Sequence, residues 1–121
     1  MVAKKKVSLC LTEDQEQTKL VVWLEKNNID FFAIPNGGKR NLMEALKLKR
    51  TGVKSGIPDL CIPISLEPYH GLYIELKRVK GGIVSGTQTY WINKLRENGY
   101  KVEVCKGADA AKVVVSEYLK L

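Results

Sequence analysis

An α/β domain with a mixed four-stranded sheet flanked by helices, in the order α-β-α-β-β-α-β-α, is the fold class the sequence predicts. Three observations predict it. Short runs rich in β-branched, aromatic and aliphatic residues alternate with segments of helical apolar spacing. Two of the helical segments open on capping boxes, T-x-x-Q at Thr12 and Gln15 and S-x-x-Q at Ser85 and Gln88. Glycine, proline and asparagine gather between the runs and separate them. At 121 residues the chain fits one domain, residues 1–121, with enough bulk to bury a core.

Taken in order, residues 12–27 form a helix whose apolar face is Leu20, Val21, Trp23 and Leu24. Residues 29–34 (IDFFAI) form a strand ending at the turn-rich PNGGKR. Residues 41–50 make a shorter helix, with Leu42, Ala45 and Leu46 expected inward and its lysines outward. The glycines and proline of residues 51–58 mark a loop. Residues 59–64 (DLCIPI), a strand interrupted or ended by Pro63, and 72–77 (LYIELK) then form two strands joined by a turn, a hairpin with a long loop. A helix over 85–98, stopped by Gly99, a strand over 100–105 and a helix over 109–119 complete the chain.

Composition narrows the function. No apolar run approaches the ~20 residues a membrane-spanning helix needs, and the apolar part of the basic N-terminal segment is too short for a signal-peptide core. A cytoplasmic protein with no membrane partner is the expectation. Cys10, Cys61 and Cys105 lie far apart, without C-x-x-C spacing, and His70 is the single histidine. Structural zinc, which needs clustered Cys and His, is therefore not expected; small apolar side chains in a reducing compartment are. Lys and Arg outnumber Asp and Glu by 20 to 13, which raises the local concentration of polyanions and supports non-specific phosphate binding.

The chemistry sits in Gly56-Ile57-Pro58-Asp59 followed by Glu75-Leu76-Lys77. Alternation along a strand puts Glu75 and Lys77 on one face and turns Ile74 and Leu76 to the apolar side. A hairpin would bring Asp59, opening one strand, beside Glu75 near the end of the other. Two carboxylates held together raise each other's pKa unless a cation lies between them. A hard ion such as Mg²⁺ or Mn²⁺ meets that need through oxygen ligands and recruits phosphate oxygens as well. Lys77 would then position water or stabilise charge on a phosphate in the transition state. E-x-K alone reads more simply as a surface ion pair between strand neighbours; the G-x-P-D strand opening upstream is what shifts the balance.

G-x-P-D, then E-x-K on the next strand, then S-x-x-Q opening a helix, resembles the PD-(D/E)XK nuclease superfamily. Within it the chain is most similar to virus-type replication-repair nuclease (VRR-NUC) domains of the stand-alone phage type, through IPNGGKR, LKLKRTGVKSGIPDL, GLYIELK and the final helix–strand pair. The resemblance implies a restriction-endonuclease-like core and metal ligation by Asp59, Glu75 and the Leu76 backbone carbonyl, with Lys77 catalytic. It also implies an acidic residue from the first helix, for which Glu13 and Glu16 both qualify; either could equally serve only the helix dipole. Gln88 matches a glutamine that supports the site in relatives, a role compatible with capping.

Phosphate contacts are expected in two places. The loop Asn36, Gly37, Gly38, Lys39 and Arg40 offers backbone N–H groups beside cations. Lys47, Lys49, Arg50 and Lys54 add a basic face before Gly56, and Arg78 and Lys80 follow the catalytic strand. Trp91 is expected in the core rather than as a base-stacking platform. The implied activity is a structure-selective DNA endonuclease, acting as a homodimer on branched DNA such as four-way (Holliday) junctions, because two related sites cut paired strands symmetrically. Flap or nick processing by a single copy, a non-catalytic basic DNA-binding module and a decayed nuclease subunit are the alternatives.

Overall fold

The computed structural model describes residues 10–35 and 40–121. Its elements follow the expected order: α1 (Glu13–Lys26), β1 (Phe32–Ala33), α2 (Leu42–Arg50), β2 (Leu60–Ile62), β3 (Leu72–Lys77), α3 (Gly86–Glu97), β4 (Lys101–Lys106) and α4 (Ala108–Leu119). The strands lie in the order β1-β2-β3-β4. The first three pair antiparallel, and β4 runs parallel to β3, reached through α3. A parallel pair needs a crossover connection, and α3 is it.

Both capping boxes form. The Thr12 and Ser85 hydroxyls accept from the Gln15 and Gln88 N–H groups, while each glutamine side chain returns to the cap's own N–H. Asn41 caps α2 through its side chain, which accepts from the Glu44 N–H. Each helix also ends in one turn type. A residue in the left-handed region (Asn28, Gly52, Gly99 or Lys120) closes the helix with paired bonds back to its last carbonyls. At the end of α1 this turn takes Ile29 out of the expected strand. Its N–H bonds the Leu24 carbonyl at 3.0 Å, so β1 begins only at Phe32. β2 likewise stops before Pro63, which has no N–H for a ladder.

The core lies on one face of the sheet. Leu60, Ile62, Leu72, Ile74 and Leu76 pack there against Leu20 and Leu24 of α1 and Ala111 and Val115 of α4. α3 covers the other face, burying Ile92 and tying Arg96 to the Val102 carbonyl at 2.7 Å. The alternation of β3 therefore sends its leucines and isoleucine to one layer and Glu75 and Lys77 to the other. Cys61 and Cys105 are buried, as expected of small apolar side chains, and Cys10 is half-buried.

α2 departs from expectation. Leu42 and Leu46, expected inward, are 72% and 51% exposed, Ala45 is exposed as well, and the helix buries no residue. Its caps fix the helix, but no described element packs on its apolar side, so helical spacing alone gave the wrong destination. Among the described residues no helix is long and apolar enough to cross a membrane.

Candidate active site

The loop before β2 is fitted to the start of α3. Gly56 holds φ +88°, and a Cβ there would come within 2.7 Å of the Thr87 backbone. Only glycine permits both the conformation and the contact. Pro58 follows, buried, and continuing the β2–β3 register places it opposite Leu76. Having no N–H, Pro58 has nothing to give the Leu76 carbonyl. The Leu76 N–H turns instead to the Asp59 side chain, donating to Oδ2 at 2.7 Å. In an extended strand one residue's N–H and C=O leave the same edge, so this carbonyl also faces Asp59.

Glu75 and Lys77 are not a surface ion pair. Their side chains are 2% and 6% exposed, with Nζ 3.5 Å from Oε1. Gln88 spans both, donating from Nε2 to Glu75 Oε1 at 2.8 Å and accepting from Lys77 Nζ at 2.9 Å. The same Gln88 oxygen accepts the Ser85 N–H, so one side chain both caps α3 and supports the site. The other carboxylate oxygen, Glu75 Oε2, is buried with no hydrogen-bond partner. Leaving such an atom bare costs about 1–3 kcal/mol, more for a charged group.

Electrostatics match this geometry. Burial pushes the Glu75 carboxyl up to about 8; Asp59 beside it acts in the same direction, and Lys77 opposes. Burial also raises Asp59, against the lowering effect of the Leu76 N–H, and the charge of Glu13 adds to the rise. Without a cation, burial and the facing carboxylates shift both groups toward their protonated forms. A divalent ion relieves the same repulsion, and the bare Glu75 oxygen, Asp59 and the Leu76 carbonyl form a hard oxygen donor set suited to one.

The two acidic residues of α1 part company. Glu16 is buried, and its Oε1 accepts the Ala108 N–H at 3.0 Å. Gly107 offers α4 no side-chain cap, so Glu16 supplies it from another helix. Glu13 is exposed and is the α1 carboxylate whose charge Asp59 feels. Among the described residues no three His, Cys, Asp or Glu side chains form a metal-holding group, so Glu13 stands outside the immediate pair.

The expected basic residues fall in two groups. Arg40, Lys49 and Lys54 line one concavity of about 390 Å³ between α2 and the loop after it, and Arg40 donates to the Pro35 carbonyl at 3.3 Å. Lys47 and Arg50 are in the last turn of α2, beside that concavity's Lys49. Arg78 and Lys80 are exposed just after β3. Asn36, Gly37, Gly38 and Lys39 lie outside the described residues. Trp91 is half-buried against an exposed Tyr90, ring centroids 5.4 Å apart. Sequence reasoning missed the docking of Gly56 on Thr87 and the consequence of Pro58 for Leu76. Both had a signal in the G-x-P-D spacing, but their partners lie far along the chain.

Comparison with known proteins identifies the family. The VRR-NUC domain model matches residues 10–109. A solved structure described as a VRR_NUC domain protein superposes with a TM-score of 0.80 at 36% identity, over 92% of this chain and 90% of that one. No curated protein matches. The chain belongs to the VRR-NUC family, nucleases of the PD-(D/E)XK type.

Proposed function

We propose that the protein is a divalent-metal-dependent, structure-selective DNA endonuclease, with Mg²⁺ or Mn²⁺ held by Asp59, Glu75 and the Leu76 carbonyl. The buried, unpartnered Glu75 Oε2 beside a second carboxylate is the observation that carries this reading. When bound, such an ion supplies Lewis-acid polarisation of a phosphoryl oxygen and acidifies water. The chain supplies the rest. Gln88 locks Glu75 and Lys77 in one orientation, so neither reorganises as charge develops. The Lys77 ammonium, fixed within the site, stabilises negative charge growing on the phosphate. Asp59, braced by the Leu76 N–H, keeps its other oxygen for the ion. Glu13, near the mouth, orients water around it.

The basic concavity of Arg40, Lys49 and Lys54, with Lys47 and Arg50 next to it, leads a DNA backbone toward Gly56 and the carboxylates. Arg78 and Lys80 hold it beyond them. Four-way junctions are the proposed substrate, cut by a homodimer. Support for pairing comes from α2, whose Leu42, Met43 and Leu46 are 72%, 77% and 51% exposed, with Phe32 of β1 at 48%. Isolated apolar side chains are ordinary, but three on one short helix make a face suited to a second copy.

The test is cleavage of labelled four-way junction, 5′-flap and linear duplex with Mg²⁺, Mn²⁺ or EDTA, comparing wild type with Asp59→Ala. Junction cutting that needs metal and is abolished in the variant, while binding persists, is expected. Preference for the flap would replace the junction assignment. Tight binding without cutting under any condition would replace the nuclease by a binding module.

A further inference from the structure

Beyond the carboxylate pair and its lysine, β4 brings a further cation to the site. The parallel register sets Val104 beside Glu75 and Lys106 beside Lys77. Register partners in neighbouring strands point to the same face, about 4.8 Å apart across the sheet. Lys106 therefore stands on the face that carries Glu75 and Lys77, one strand outward and exposed where Lys77 is buried. Its backbone position is fixed, because the next residue, Gly107, donates its N–H to the Lys77 carbonyl at 2.9 Å.

The charge of Lys106 is uncommitted. Lys101 on the same strand pairs with Glu103, and Lys19 and Lys112 both reach Asp109. Among the described residues Lys106 makes no ion pair. With Lys80 it lines a cavity of about 280 Å³ beyond the ends of β3 and β4. Two acidic residues also border this cavity, but Asp109 is paired with Lys19 and Glu16 is bonded to the Ala108 N–H. Lys19, Lys80 and Lys106 still outnumber Glu16 and Asp109 by one in the lining, which leaves the cavity a net positive sign.

We infer that Lys106 is a phosphate-positioning residue, holding a backbone phosphate of the bound strand beside the one addressed by Lys77 and the carboxylates. The inference rests on the proposed DNA-cleaving reading. It assigns to Lys106 substrate alignment, and to Lys77 the stabilisation of charge at the reacting phosphate. Lys106 becomes part of the binding track only through the β3–β4 register.

The test is the salt dependence of DNA binding by fluorescence anisotropy with Ca²⁺, together with steady-state cleavage with Mg²⁺, for wild type, Lys106→Ala, Lys106→Arg and Lys26→Ala. Removing one lysine–phosphate pairing lowers the slope of log K against log salt by about 0.7–0.9. Lys106→Ala is expected to show that change, with KM raised several-fold and kcat within about twofold. Lys106→Arg is expected to keep the wild-type slope. Lys26→Ala, at the far end of α1, is expected to leave the slope unchanged. A wild-type slope and KM in Lys106→Ala overturn the inference, as does an equal reduction in Lys26→Ala, which would make the effect one of bulk charge. A fall in kcat at constant KM also overturns it. Wild-type protein that neither binds nor cuts DNA defeats the underlying reading and this inference with it, an outcome recognisable because it appears before any substitution.

Discussion

Gln88 gives one residue two duties, and they separate by measurement. Gln88→Ala leaves Ser85 capping α3 but removes the reciprocal bond to the Ser85 N–H and both ties to Glu75 and Lys77. Loss of that half of the capping box costs about 0.5–1.5 kcal/mol. Loss of the support is expected to cut activity roughly 10–100-fold, as for partners that orient metal ligands. Thermal unfolding reads the first and cleavage rates the second. Glu75 makes a pH prediction. Its folded carboxyl lies at about 8, above the ordinary 4.5, so the folded protein binds this proton more tightly than the unfolded chain. In EDTA its contribution to stability is fully present below about pH 4.5 and disappears as pH rises through about 8. Unfolding in denaturant from pH 5 to 9 checks this, and Glu75→Gln is expected to flatten the profile. That Glu75 and Lys77 share a face was legible from strand alternation. That both are buried, and bridged by one glutamine, was not, because α3 arrives from another part of the chain. Glu13 and Glu16, three residues apart, occupy the same helical stripe. Only the position of the α4 N-terminus tells them apart.

At the scale of elements, the site depends on two pairings distant in sequence, Gly56 with Thr87 and Gln88 with Glu75 and Lys77, and the fold around it on a third, Glu16 with Ala108. The Gly56 turn seats the start of β2 on α3, and Gly56→Ala meets both a left-handed φ and the Thr87 backbone. A destabilisation of about 1–3 kcal/mol is expected from the strained backbone, with cleavage falling further than stability because Asp59 shifts with the turn. Glu16 fastens α1 to α4. Glu16→Ala is expected to destabilise the fold by about 1–2 kcal/mol, by loss of a cap, while leaving metal affinity close to wild type. Metal titration beside thermal unfolding checks both halves. Capping boxes, glycine stops and proline breaks were readable from sequence because each is local. A local signal also explains the error at the start of β1, where the turn after α1 claimed Ile29, whereas β2 ends at Pro63 as its missing N–H requires. α2 was right as an element and wrong in orientation, since periodicity reports an apolar face without naming what covers it.

Over the whole molecule, the hairpin of β2 and β3 brings Asp59 to Glu75, while the parallel β4 sets Lys106 beside Lys77. The first pairing followed from the short connection between two strand-like runs. The second needed the strand order, which hydrophobic pattern does not encode. The exposed apolar side of α2 belongs to this scale as well. Leu46→Glu is expected to halve the mass measured by sedimentation if two copies meet there, and an unchanged mass would remove α2 from the interface. All of these functional assignments depend on a divalent ion, bound by the Asp59–Glu75 pair, enabling DNA cleavage. The deciding measurement is the cleavage rate of wild type and Glu75→Gln on the preferred DNA, titrated with Mg²⁺ from an EDTA baseline. No cutting in EDTA and saturable cutting by wild type are expected, with a fall of roughly 10³-fold in the variant, the effect of several kcal/mol at the transition state. Metal-independent cutting, or an unchanged rate in Glu75→Gln, would contradict that dependence.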